Sequence, residues 1–202
     1  TTELVAGLIN QADDLVSGIL HAQDEIDGSL TLLILTSDGE VIAARDKYGR
    51  LPVLIGKNEE GHCVSLESFA YTKLGYEDAY ELGPREIVKL MPDKIETLSP
   101  AGEKMKICAF LWSYYGYPNS RYEGRNVEIM RVTNGKIMAR DEMVRGELPE
   151  VDFVAGVPDS GVPHAMGYAR QSGYEYARPF VKYTPTWPRS FMPANQSVRN
   201  QV

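Results

Sequence analysis

The chain has 202 residues, room for one large domain or two small ones with a buried core, and its 43% apolar and 24% charged residues are those of a globular protein. The longest apolar run, Leu30 to Leu35, is strand-sized, so nothing approaches the ~20 residues a membrane span needs, and a net charge of -7 argues against nucleic-acid binding. Two cysteines, Cys63 and Cys108, are too few for a disulfide framework and match no zinc spacing, which points to reduced thiols in a cytoplasmic protein.

Leu4, Leu8, Leu15, Ile19 and Leu20 recur at helical spacing and predict one helix over 3–22. Asp27-Gly28 turns the chain into a strand from Leu30 to Thr36, apolar on both faces and so expected to be buried on both. Ser37-Asp38-Gly39 returns it as Val41 to Ala44. Val53–Gly56 with Cys63–Leu66, and Glu86–Met91 with Lys94–Leu98, read as two further hairpins, with a short helix over Ser68–Leu74 between them. Pro100-Ala101-Gly102-Glu103 is a plausible boundary. Beyond it, Ile107–Trp112 is a candidate strand and Tyr114–Arg121 a loop. A helix over Val127–Glu142 should turn Val127, Met130, Ile137 and Met138 inward, although Gly135 weakens it by about 1 kcal/mol relative to Ala. Val151–Val157, Pro163–Gln171 and Tyr174–Val181 then read as strand, helix and extended segment, the unit of a parallel α/β sheet.

Two segments carry candidate chemistry. Val157-Pro158-Asp159-Ser160-Gly161 follows a strand and precedes a helix, where α/β proteins bind ligands; it is either such a site or an ordinary β-to-α turn. Lys182 to Pro193 combines Lys182 and Arg189 with three prolines and with Tyr183, Trp187 and Phe191, the composition of a basic lid or of a surface loop pinned by its aromatics. Charge is uneven: residues 1–44 hold eight acids and no Lys or Arg, whereas 176–202 hold four bases and no acid, so the last stretch could face a phosphorylated anion. His21, His62 and His164 are isolated, and Trp112, Tyr114, Tyr115 and Tyr117 read first as packing residues.

In order, these residues resemble the amidophosphoribosyltransferases, which join an N-terminal-nucleophile glutaminase domain to a phosphoribosyltransferase domain. Asp27-Gly28-Ser29-Leu30-Thr31-Leu32 is similar to the family's inner strand, and Arg45-Asp46-Lys47-Tyr48-Gly49-Arg50-Leu51-Pro52 to its Arg-Asp-Pro-x-Gly-x-Arg-Pro segment. Ser65-Leu66-Glu67-Ser68-Phe69-Ala70 resembles Ala-Ser-Glu-x-x-Ala, and Leu82-Gly83-Pro84-Arg85-Glu86 the Pro-Gly-Glu turn. Cys108 stands ten residues before Pro118-Asn119-Ser120, Arg131 and Gly135 keep the family's helix spacing, and Val157-Pro158-Asp159-Ser160 resembles the opening of the transferase core. Val181-Lys182-Tyr183 and Arg189-Ser190-Phe191-Met192-Pro193 resemble its flexible loop.

The resemblance implies α+β then α/β: the C-terminal part of a glutaminase (αββα) domain over 1–101, then the first part of a type I phosphoribosyltransferase domain over 102–202. It implies substrate-binding roles for Asp159, Lys182, Tyr183 and Arg189, and Ser160 as a magnesium-site residue. Cys108 matches a Cys that ligates a [4Fe–4S] cluster in some members, but its partner cysteines are not in the chain, so a cluster does not follow. The implied partners are glutamine and phosphoribosyl pyrophosphate, in a homo-oligomeric cytoplasmic enzyme of purine synthesis that binds neither nucleic acid nor membrane. Thr1 falls about where the family places a glutamine-binding Asp, the nucleophilic Cys is absent, and Thr184-Pro185-Thr186-Trp187-Pro188 stands in place of Asn-Arg-Tyr-Val-Gly. The ends have no signal peptide, initiator Met or terminal character and read as internal to a longer polypeptide. The alternatives are an active enzyme of which this is a part, and a divergent relative or inactive fragment retained for binding or assembly.

Overall fold

A computed structural model describes residues 2–182 and 194–200, and the chain forms two compact units that divide between Met130 and Arg131. The first unit begins with two helices rather than the one expected: α1 (Thr2–Ile9) and α2 (Leu15–Glu25). Asp14 makes the difference. Its carboxylate accepts the Ser17 N–H at 2.9 Å, which caps α2 and lets the chain turn after Ile9. Gly18 permits the helices to meet, since a Cβ there would sit 2.3 Å from the Ile9 carbonyl oxygen.

Four antiparallel strands follow as one sheet in the order β1-β2-β6-β7: β1 (Leu32–Leu35), β2 (Val41–Ala44), β6 (Ile87–Leu90) and β7 (Ile95–Ser99). A second sheet has the order β4-β3-β5, from β3 (Leu54–Asn58), β4 (Gly61–Ser65) and β5 (Glu77–Glu81), with α3 (Ser68–Thr72) between β4 and β5. Strand alternation sorts their side chains into layers. Ile42, Ala44 and Ile87 pack with Ile19 of α2, while Ala43, Val88, Val53, Ile55 and Leu82 fill the space between the sheets. Leu54 faces the other way, into a cluster with Tyr71, Leu111, Tyr122 and Val127. The three expected hairpins and the short helix are found, but β5 was not foreseen. Its sequence Glu-Asp-Ala-Tyr-Glu is mostly exposed and carries no apolar alternation.

The first strand is not buried on both faces. It lies at a sheet edge, and Leu33 and Leu35 are 49% and 73% exposed. The candidate strand at Ile107–Trp112 is absent as well; Leu111–Tyr115 forms a single π-helical turn, and a short hairpin of β8 (Arg121–Tyr122) and β9 (Arg125–Asn126) follows.

The second unit takes up α4 (Val127–Arg145), a continuous helix that starts in the first unit, and continues through β10 (Phe153–Ala155), α5 (Gly161–Ser172) and β11 (Glu175–Ala177) to the short α6 (Gln196–Arg199). β10 and β11 pair in parallel with Phe153 opposite Glu175 and Ala155 opposite Ala177. α5 is the crossover between them, and Gly173 in the left-handed region (φ 81°) ends it as expected. In α4 the inward face differs from the expected one. Ile137 and Met138 are exposed, whereas Arg131, Gly135 and Ala139 are buried. Within the second unit, the backbones of α4 and α5 touch: a Cβ at Gly135 would lie 1.9 Å from the His164 carbonyl oxygen, and one at Gly167 2.0 Å from that of Val132.

Candidate functional site

The loop from Gly156 to Ser160 leaves the carboxyl end of β10 and enters α5. Its tightness comes from Gly156, where a Cβ would meet the Val162 Cα at 2.5 Å. The Gly161 N–H closes the turn on the Val157 carbonyl at 3.0 Å, and the Pro158–Asp159 peptide bond is cis. Asp159 points to solvent, its side chain 78% exposed, and Lys182 beyond β11 reaches it with Nζ 3.5 Å from Oδ2. Ser160 is the N-cap residue of α5, yet its hydroxyl makes no capping bond, which leaves that oxygen available to a ligand beside the first-turn N–H groups. Three sequence-predicted site residues, Asp159, Ser160 and Lys182, therefore gather at one strand end. Tyr183, Arg189 and Thr1 lie outside the described residues.

The site rests on a firm base within its unit. The α4–α5 glycine contact fixes the helix, and the Tyr168 hydroxyl donates to Glu142 from α5 to α4. Burial, then that bond to a carboxylate, push the Tyr168 hydroxyl up to about 12, so it stays a donor throughout the physiological range.

Magnesium takes oxygen ligands and keeps several waters, relying on one or two protein groups and on substrate phosphates. An exposed Asp159 carboxylate next to an uncommitted Ser160 hydroxyl fits that requirement. No group of three His, Cys, Asp or Glu side chains forms a metal cage among the described residues. A [4Fe–4S] cluster takes four thiolates, and Cys63 and Cys108 cannot supply them. Cys108 is half-buried ahead of the π-helical turn, with its N–H on the Arg50 carbonyl at 2.9 Å.

The first unit adds polar ties that sequence reasoning missed. Glu67 accepts the hydroxyls of Ser120 at 2.5 Å and Tyr122 at 2.6 Å, and the Ser68 hydroxyl accepts the Arg121 N–H at 2.9 Å. Arg45 is fully buried and donates to the carbonyls of Leu51, Gly49 and Leu82 while its Nη2 pairs with Glu123 at 2.7 Å. Arg45, Glu67, Ser68 and Ser120 fall in segments that carry the family resemblance, but Arg121, Tyr122 and Glu123 do not, and nothing local pairs the two ends.

No family model matches the chain. It is 30% identical over 199 residues to the amidophosphoribosyltransferase of Archaeoglobus fulgidus, an alignment covering 98% of this chain and 42% of that protein. It is also 30% identical over 208 residues to the amidophosphoribosyltransferase of Bacillus subtilis, covering 99% and 41%. The structure of glutamine phosphoribosylpyrophosphate amidotransferase from B. subtilis, complexed with ADP and GMP, superposes with a TM-score of 0.82 at 28% identity over 99% of this chain and 43% of that one. The chain is a homologue of the amidophosphoribosyltransferases. It spans about two-fifths of the length of these relatives. The mixed architecture expected from the resemblance, layered antiparallel sheets followed by a parallel α/β unit, is that of the amidotransferase structure. No described helix is long and apolar enough to cross a membrane.

Proposed function

We propose that the chain is part of a glutamine-dependent amidophosphoribosyltransferase, with a glutaminase-like part over 1–101 and a phosphoribosyltransferase part over 102–202. In this reading ammonia, released from glutamine, attacks C1 of phosphoribosyl pyrophosphate; the C1–N bond forms, the C1–O bond to pyrophosphate breaks, and the nitrogen sheds a proton. The product is phosphoribosylamine, the opening intermediate of purine synthesis. The observation that carries the reading is the strand-end loop in which Asp159, Ser160 and Lys182 meet at the N-terminus of α5.

Each residue then has a physical task. The first-turn N–H groups of α5 and the Lys182 ammonium favour negative charge, and so hold the leaving diphosphate and stabilise it as charge develops. Asp159 orients Lys182 and, with the Ser160 hydroxyl, would hold magnesium; the ion, when bound, neutralises phosphate charge. Tyr183 and Arg189 are assigned to the loop that closes over the substrate, and Cys108 to a packing role. Oligomer formation and a cytoplasmic location belong to the same proposal. A second reading, a relative retained for binding, is favoured by the Thr-Pro-Thr-Trp-Pro sequence at 184–188.

Ammonia-dependent release of pyrophosphate from phosphoribosyl pyrophosphate by the full-length protein decides between them. Turnover is expected, with Ser160→Ala and Asp159→Asn each lowering kcat/KM by about 10- to 100-fold, the scale of one lost charge-assisted contact. Absence of turnover with both ammonia and glutamine would leave the binding reading standing.

A further inference from the structure

In the first unit, four cationic groups converge on one aromatic ring. The Tyr48 centroid lies 4.8 Å from Lys106 Nζ, 5.0 Å from Arg50 Cζ, 5.7 Å from Lys104 Nζ and 6.0 Å from Lys47 Nζ. A chain of net charge -7 would not gather four bases around a half-buried tyrosine by default.

The platform is rigid. Buried Asp46 accepts the N–H groups of Tyr48 at 3.1 Å and Arg50 at 2.9 Å, and Gly49, with φ 62°, donates to the Asp46 carbonyl at 2.8 Å. The segment carrying the lysines is tied to it, Lys106 N–H to the Tyr48 carbonyl at 2.8 Å and Cys108 N–H to the Arg50 carbonyl at 2.9 Å. Lys104 and Lys106, two residues apart on that segment, thus each bring an ammonium group to the same ring.

The charges are incompletely answered. Lys47 pairs with Asp24 at 2.6 Å and Arg50 with Asp46 at 3.2 Å, whereas Lys104 and Lys106 are exposed and have no carboxylate in ion-pair range among the described residues. The ring's negative face offsets part of the mutual repulsion. A compact, multiply charged anion would offset the rest. A carboxylate side chain brings one charge and reaches one lysine, while adjacent phosphates bring several and reach both.

We propose that this patch binds a diphosphate group, with Lys104 and Lys106 as its principal contacts, Arg50 as the third cation and Tyr48 as the surface that aligns them. Inorganic pyrophosphate and a nucleoside diphosphate share this chemistry.

The test is calorimetric titration of the full-length protein with inorganic pyrophosphate at about 0.15 M ionic strength, where purely long-range attraction is screened. The Lys104→Gln/Lys106→Gln variant is expected to lose one pyrophosphate equivalent per chain, or to bind it at least tenfold more weakly, with an unchanged thermal transition because both side chains are exposed. Asp159→Asn should keep that equivalent. ADP that competes for it identifies a nucleotide as the source, and ADP that does not identifies free pyrophosphate; both support the site. Unchanged stoichiometry and affinity in the double variant overturn it, as does loss of the same equivalent in Asp159→Asn alone.

Discussion

Glu81 and Glu123 show how much one side chain can depend on its neighbours. Glu81 accepts the Glu123 N–H at 2.9 and 3.1 Å, while Glu123 pairs with the buried Arg45. Burial first, with the Glu123 carboxylate adding to it against the pull of the Glu123 N–H and Arg45, pushes Glu81 up to about 7 from an ordinary 4.5. A raised carboxyl means that the folded state holds a proton the unfolded chain releases. The stability linked to Glu81 is thus full below about pH 4.5 and fades as pH rises toward 7. Glu81→Gln keeps an acceptor and removes the titration. It should match the parent near pH 4.5 and exceed it at pH 8 by on the order of 1 kcal/mol once solvent screening is discounted, measured as a widening gap between melting temperatures. Sequence gave no warning of this residue, since β5 reads as a polar exposed segment and its partner lies 42 positions away. The Asp159–Ser160 loop, by contrast, was legible because all its determinants are local: a strand, a tight turn and a helix start.

At the scale of elements, the errors have a common cause. Periodicity reported apolar positions correctly but could not say what would cover them. Spacing points Leu33, Leu35, Ile137 and Met138 inward, yet they are exposed, and the buried face of α4 carries Gly135 and Ala139 instead. Gly135 looked like a helix defect; it is the contact point of α4 with α5. Gly135→Ala and Gly167→Ala should each cost about 1–3 kcal/mol or more by forcing the helices apart, read as a fall in denaturation midpoint with little change in its slope. The break between α1 and α2 has a separate origin in Asp14, whose carboxyl is held low by the Ser17 hydroxyl and N–H. Asp14→Ala should fray the start of α2, seen as faster amide exchange at Ser17 and Gly18 but not at Ala22. The parent should show the same fraying only as pH falls below the usual carboxylate range, because a lowered carboxyl keeps its contribution until it is protonated there.

For the whole molecule, the ordered run of motifs conveyed the architecture better than any single one. The layered sheets and the parallel unit were foreseen from it, and their likeness to an amidotransferase of known structure extends over 99% of the chain. What the sequence did not disclose was long-range pairing. The Glu67–Ser120–Tyr122 tie and the Tyr48 patch each join segments more than 50 residues apart, and nothing in either segment announces the other.

The edge position of β1 bears on how these 202 residues behave by themselves. Among the described residues no strand pairs with its outer side, and two of its leucines are reached by water. Such a margin recruits another copy by strand addition, so the isolated chain is expected to form concentration-dependent clusters visible in light scattering. Leu33→Lys with Leu35→Lys should keep it monodisperse, and clustering that persists in this variant would place the propensity outside β1.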